Sequence, residues 1–181
     1  MRLPTRKIVV INGPAEVGKD TFIGICGKFL GKQNVKNYSS IEPAKKAAPT
    51  LGCQYDQGEK TRDFLKRLKD LSDEFWECST NHLRNSIEKK CQGKVLVFLH
   101  IREPYNIDKI KAYYPEILTC HINRIGSTMF NNPADTSTWG YEYDFYIDNS
   151  GTLGDLHVLA WEFIQKLYPD KFQTAEMPTV S

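Results

Sequence analysis

Apolar positions change their period repeatedly along the chain, and each change marks a predicted element. Over 7–12 (KIVVIN) they are contiguous and largely β-branched, they stop at Gly13, and over 19–29 they adopt helical spacing at Phe22, Ile25, Cys26 and Phe29. Strand, glycine loop and helix is the predicted order. A second strand is predicted over 35–39, followed by a short helix that Pro43 can open and that contains Lys45, Lys46, Ala47 and Ala48. Residues 49–58 read as loop. Over 60–90 the chain is highly charged but keeps Phe64, Leu65, Leu68, Leu71, Phe75 and Trp76 at spacings that suit one or two amphipathic helices.

The run VLVFLHI over 95–101 is apolar almost throughout, as expected of a parallel strand covered on both faces, and is the sequence's candidate for the centre of a sheet. A helix over 104–113, a strand over 117–122, a strand over 144–148 and a final helix over 153–167 complete the pattern. Strands alternating with helices predict an α/β fold with a mainly parallel sheet of about five strands. The interval 124–143 holds Gly126, Asn131, Asn132, Pro133, Asp135 and Gly140 without a sustained period, and is read as a lid or binding loop. One domain is expected over 1–172, with a fraying polar tail over 173–181.

Composition narrows the field modestly. With 40% hydrophobic and 25% charged residues the chain reads as a globular protein with a packed core. The 24 basic and 22 acidic side chains leave a formal charge of only +2, so neither a nucleic-acid polymer nor an anionic membrane is called for as partner. No membrane-length apolar run and no signal-peptide pattern is present, so a cytoplasmic location is the default expectation. The five cysteines are odd in number and widely spaced, and are expected to be reduced, mostly buried thiols.

The chemistry concentrates in residues 13–19. Gly13, Pro14, Ala15, Glu16, Val17, Gly18 and Lys19 fit G-x-x-x-x-G-K between a predicted strand and a predicted helix. Glycines allow the tight path that turns backbone N–H groups inward, the helix N-terminus adds partial positive charge, and Lys19 supplies an ammonium for β- and γ-phosphates. The pattern departs from the usual one in that Asp20, not Ser or Thr, follows the lysine, with Thr21 next. Asp20 either holds Mg²⁺, directly or through water, or simply favours the positive helix end. Thr21 can reach an α-phosphate. No acid stands in VLVFLHI where a Walker B aspartate is expected.

The string Gly18-Lys19-Asp20-Thr21 resembles the phosphate loop of the deoxynucleoside monophosphate kinases and related small P-loop kinases. Ser39-Ser40-Ile41-Glu42-Pro43 resembles that family's lead into the monophosphate-binding helix, and Lys60-Thr61-Arg62-Asp63 its arginine-bearing second helix. His100-Ile101-Arg102-Glu103-Pro104, Arg124, and the stretch from Asp144 to Leu153 resemble later family segments in the right order. The resemblance implies a three-layer α/β/α P-loop NTPase fold with a short lid, using ATP and Mg²⁺. It implies that Arg62 grips an acceptor phosphate with Arg102, that Arg124 closes from the lid, and that Asn149 and Gly151 contact adenine.

Alternatives stand beside these roles. Each arginine also suits a surface ion pair, and Asn149 and Gly151 also suit a plain turn. Glu103 positions the acceptor or a Mg²⁺-bound water, or is an ordinary acid at a helix start; Asp144 is a weaker acidic candidate. His82, His100 and His121 show no ligand spacing and are expected to be structural or exposed. The function expected is ATP-dependent phosphoryl transfer to a nucleoside or deoxynucleoside monophosphate by a monomer or homodimer. The alternatives are a kinase of another small phosphorylated metabolite and a non-catalytic ATP-binding regulatory protein. The absence of N-K-x-D argues against a GTPase.

Overall fold

The computed structural model describes residues 5–53, 58–126, 140–172 and 175–178. Of the expected lid, 127–139 lie outside the described residues, as do 173–174 and 179–181 of the tail. The chain divides into two compact units, one of residues 1–37 with 93–181 and one of 38–92, with the boundary inside the second strand.

The first unit is built on a five-stranded sheet of β1 (Lys7–Asn12), β2 (Val35–Ser39), β3 (Leu96–His100), β4 (Leu118–Asn123) and β5 (Phe145–Asp148), in the order β2-β3-β1-β4-β5. β1 is parallel to both β3 and β4, and β4 is parallel to β5. The centre of the sheet is therefore β1, not the 95–101 run. Burial on both faces, which makes that run uniformly apolar, is equally met one strand away from the centre.

Alternation along the strands separates two faces. Val9, Ile11, Leu96, Phe98, Cys120, Ile122 and Ile147 form one core with α1 (Lys19–Leu30) and the C-terminal helix Leu153–Leu167. Phe163 of that helix is the hub, with ring centroids 5.3 Å from Phe22, 6.3 Å from Phe98 and 5.0 Å from Phe145. Edge-to-face and offset rings of this kind contribute about 0.5–1.5 kcal/mol each beyond their burial. Val10, Val97 and Leu99 point to the other face and are equally buried, as are Ile107 and Ile110 of the helix Pro104–Tyr113.

The second unit is helical. Glu42–Ala47 (α2) and Glu59–Trp76 (α3) meet where Leu65 packs on Ala44 and Ala48, two small residues that allow close approach. Cys78–Asn85 (α4) follows and ends in a turn of π-helix over Ser86–Lys90. The break after α3 falls at Glu77, whose backbone is left-handed (φ 48°). The Asp73 carboxylate accepts the amide N–H of Ser79 at 2.7 Å across this break, satisfying a donor in the first turn of α4. The remaining helices of the first unit are α5 (Pro104–Tyr113), α6 (Leu153–Leu167) and α7 (Pro169–Phe172).

Among the described residues no helix is long and apolar enough to cross a membrane. All five cysteines are free, with Cys26, Cys91 and Cys120 buried and Cys53 and Cys78 partly so. Burial raises the pKa of the Cys26 and Cys120 thiols, which keeps them protonated and inert.

Candidate functional site

Strand order reverses about β1, with β2 and β3 on one side and β4 and β5 on the other. Ligands of open α/β sheets bind at the carboxyl ends of strands at such a point. Residues 13–18 leave the carboxyl end of β1 there and lead into α1.

Two glycines of this loop are sterically obligatory. Gly13 has φ 132°, and a Cβ on it would lie 2.0 Å from the carbonyl oxygen of Ile122. Gly18 starts α1 with φ 93°, and a Cβ there would lie 2.4 Å from Nδ2 of Asn149. Either conformation is strained for any residue with a side chain, and at Gly13 the obstacle is rigid backbone. Glu16 is also left-handed, at φ 63°. Val17 is fully buried and anchors the loop's far side in the core of the first unit. The Lys19 ammonium folds back over the loop, donating to the Gly13 carbonyl at 2.7 Å and to the Pro14 carbonyl. Pro14 is buried, Ala15 and Gly18 are half-buried, and Thr21 is exposed on the first turn of α1.

Buried amides hold the loop from both ends. Asn12 accepts the Gly13 N–H at 2.6 Å and donates through Nδ2 to the Arg102 carbonyl at 3.0 Å and to the Tyr143 hydroxyl at 2.8 Å. Asn149 donates through Nδ2 to the Val17 carbonyl at 2.8 Å, while its own N–H reaches the Asn123 carbonyl at 2.9 Å. Losing such a buried bond leaves an orphaned polar atom and costs about 1–3 kcal/mol.

The other expected site residues are placed as follows. Arg102 is exposed just beyond β3, and its carbonyl is the one that Asn12 holds. Glu103 stands at the start of α5, where its carbonyl accepts the N–H of Asn106 and Ile107 and its Oε2 accepts from the Asn106 side chain at 3.3 Å. Arg124 is exposed immediately after β4. Gly151 precedes the capping box of α6, so close to Asp155 that a Cβ would lie 2.6 Å from its carboxylate. Asp144 is engaged at the amino end of β5, where its carboxylate accepts from the N–H and hydroxyl of Thr119 at 2.7 and 2.8 Å. In the second unit, Arg62 is exposed on the first turn of α3.

Asn12 and Tyr143 were not singled out by the sequence, although a polar residue closing an apolar strand at Gly13 was a legible signal for the first. His121 is in register with Asn12 on β4, its ring 5.0 Å from that of Tyr143. Burial, and after it the charge of Lys19, lowers its pKa, which favours the neutral imidazole.

The donor set at α1 fits Mg²⁺. The Asp20 carboxylate is 88% exposed beside the loop, a hard oxygen ligand with open sides for water and phosphate oxygens. Its Oδ1 lies 3.6 Å from Nε2 of His100. Among the described residues there is no cluster of three His, Cys, Asp or Glu side chains that could hold a metal without help from a ligand.

No protein-family model matches the sequence, and no curated protein is significantly similar to it. Similarity appears among solved structures. An unliganded sugar kinase from Janibacter sp. HTCC2649 matches with a TM-score of 0.50 and 14% identity, covering 90% of this chain and 95% of that one. A protein of Chloroflexus aurantiacus j-10-fl whose kinase assignment is itself provisional matches with a TM-score of 0.51 and 10% identity, covering 91% and 99%. At such identities the likeness concerns architecture, and the chain has the three-layer α/β fold of P-loop kinases.

Proposed function

We propose that the protein is an ATP-dependent kinase that transfers a phosphoryl group to a nucleoside or deoxynucleoside monophosphate. The observation that carries this reading is the loop of residues 13–19, with two glycines that admit no side chain and the Lys19 ammonium folded over it. The fold and the family resemblance of the flanking segments support the same class of reaction.

In this reading the loop amides and Lys19 bind the donor's β- and γ-phosphates, with Thr21 toward the α-phosphate and Asn149 and Gly151 beside the adenine. Asp20 would hold Mg²⁺, which would supply positive charge against the negative charge that spreads in transfer. Arg62 and Arg102 orient the acceptor phosphate through forked donors, Glu103 orients the acceptor, and Arg124 closes over the phosphates. The acceptor's own phosphate oxygen attacks, so no covalent enzyme intermediate is required. Small nucleotides as partners and action in the cytoplasm belong to the same proposal.

The test is ADP release from Mg·ATP across a panel of nucleoside and deoxynucleoside monophosphates, sugars and other small phosphorylated metabolites, with Lys19→Met as background. Stimulation by one monophosphate, abolished in the variant, is the expected result. Stimulation only by a sugar or another metabolite would replace the acceptor class. Tight ATP binding without stimulation by any compound would make the protein a nucleotide-binding regulator.

A further inference from the structure

Both protein positions that commonly hold Mg²⁺ in P-loop enzymes are substituted in this chain. A Ser or Thr after the loop lysine is replaced by Asp20, and the strand beside β1 carries no acid but ends on His100. The two replacements meet. His100 is in register with Ile11 at the end of β3 and shares the side-chain parity of Phe98, which packs in the core that α1 covers. Asp20 stands in the first turn of α1, with Oδ1 3.6 Å from Nε2 of His100.

We propose that the acid serving Mg²⁺ has moved from strand to helix, with Asp20 supplying the carboxylate and His100, on the strand, positioning it. This rests on the kinase reading above and extends it. Mg²⁺ prefers oxygen ligands, so an imidazole at the strand end acts through the carboxylate. A separation of 3.6 Å lies just beyond a direct N–H···O bond and suits a contact that closes as the carboxylate turns to the ion. His100 is 19% exposed and Asp20 88%, so a held imidazole faces a carboxylate that would otherwise swing freely. If Asp20 merely complemented the helix dipole, replacing it would alter stability and leave the response to Mg²⁺ intact.

The experiment measures ADP affinity by calorimetry in Mg²⁺ and in EDTA, and counts bound Mn²⁺ by electron paramagnetic resonance in the ADP complex. The variants are Asp20→Ser, His100→Ala, His100→Gln and the double variant Asp20→Ser with His100→Asp, which returns hydroxyl and acid to their usual places. The Mg²⁺-linked gain in ADP affinity is expected to fall about tenfold in Asp20→Ser and in His100→Ala, as when a partner of a metal ligand is lost. His100→Gln, which keeps an N–H donor, should recover most of it, and the double variant should exceed Asp20→Ser alone. In EDTA neither loss should appear, and Asp20→Ser, which removes a negative charge beside the phosphates, should bind ADP as tightly as wild type or more tightly. The inference is overturned if Asp20→Ser and His100→Ala keep the full gain, if their losses are as large in EDTA, or if the double variant recovers nothing. Wild-type protein that binds ADP without any gain from Mg²⁺ also overturns it and leaves the phosphate loop's role standing. Wild-type protein that binds no ADP in either condition refutes the kinase reading, and this inference with it.

Discussion

The loop-bearing unit and the helical unit of residues 38–92 are organised by different physics. In the first, position is imposed by exclusion. Gly13 is pressed against the Ile122 carbonyl, Gly18 against Asn149, and Phe163 against three other aromatic rings. In the second, α3 carries exposed ion pairs at i, i+4, such as Arg67 with Asp63 and Lys66 with Asp70, and leaves Phe75 and Trp76 in solvent. Its internal anchors include Lys69 within 3.3 Å of the buried Asp73 and a His82–Glu42 pair at 2.9 Å. A site for donor phosphates made of main chain tolerates almost no substitution. The acceptor role proposed for Arg62 rests on one exposed side chain, which can change while its helix stays intact.

The contrast can be broken most sharply at Gly13. Gly13→Ala is expected to abolish ADP binding and to lower stability by about 3 kcal/mol or more, from overlap plus backbone strain, in calorimetry and urea unfolding. Unchanged ADP affinity would end the steric account. Next in size, Phe163→Ala should cost about 3–5 kcal/mol, whereas Trp76→Ala in the second unit should stay within about 0.5 kcal/mol. Comparable losses for the two would erase the distinction between the units.

Arg62→Ala sharpens the functional half of the comparison. Losing charged hydrogen bonds to an acceptor phosphate, at about 1.5–3 kcal/mol, should lower kcat/KM for the acceptor about 10- to 100-fold with ADP affinity unchanged. Equal losses for donor and acceptor would remove Arg62 from its assigned role. The smallest effect is a pH dependence at His121. Its pKa is depressed from 6.5 in the folded protein, so below that value the unfolded chain takes up a proton that the folded one refuses. Thermal stability should therefore decline as pH falls through about 6.5 toward the folded pKa, and His121→Asn should flatten that decline. A profile identical in the variant would remove His121 as its source.

Legibility in the sequence followed locality. The unit of β1, loop and α1 was readable because hydrophobic period, glycine spacing and lysine lie within about two dozen consecutive residues, and the structure begins and ends β1 where the apolar run does. The amides that hold the loop were not readable in that way. Asn12 and Tyr143 are 131 positions apart and Val17 and Asn149 132, so no local period could pair them. The sequence marks Asn149 as a turn or adenine residue, and its buried bond to Val17 gives it a part in supporting the loop. The 95–101 run misled on strand order because hydrophobicity reports coverage of both faces and carries no lateral address. The division of 60–90 into two helices falls at Glu77, a residue type that gives no warning of a left-handed backbone.

The most direct test of the central claim is product analysis by mass spectrometry after incubation with Mg·ATP and each nucleoside or deoxynucleoside monophosphate in turn. The account predicts that one monophosphate gains a phosphoryl group with matching ADP, and that Lys19→Met, folded as wild type, makes neither product. A full panel without any diphosphate product from wild-type protein would contradict it.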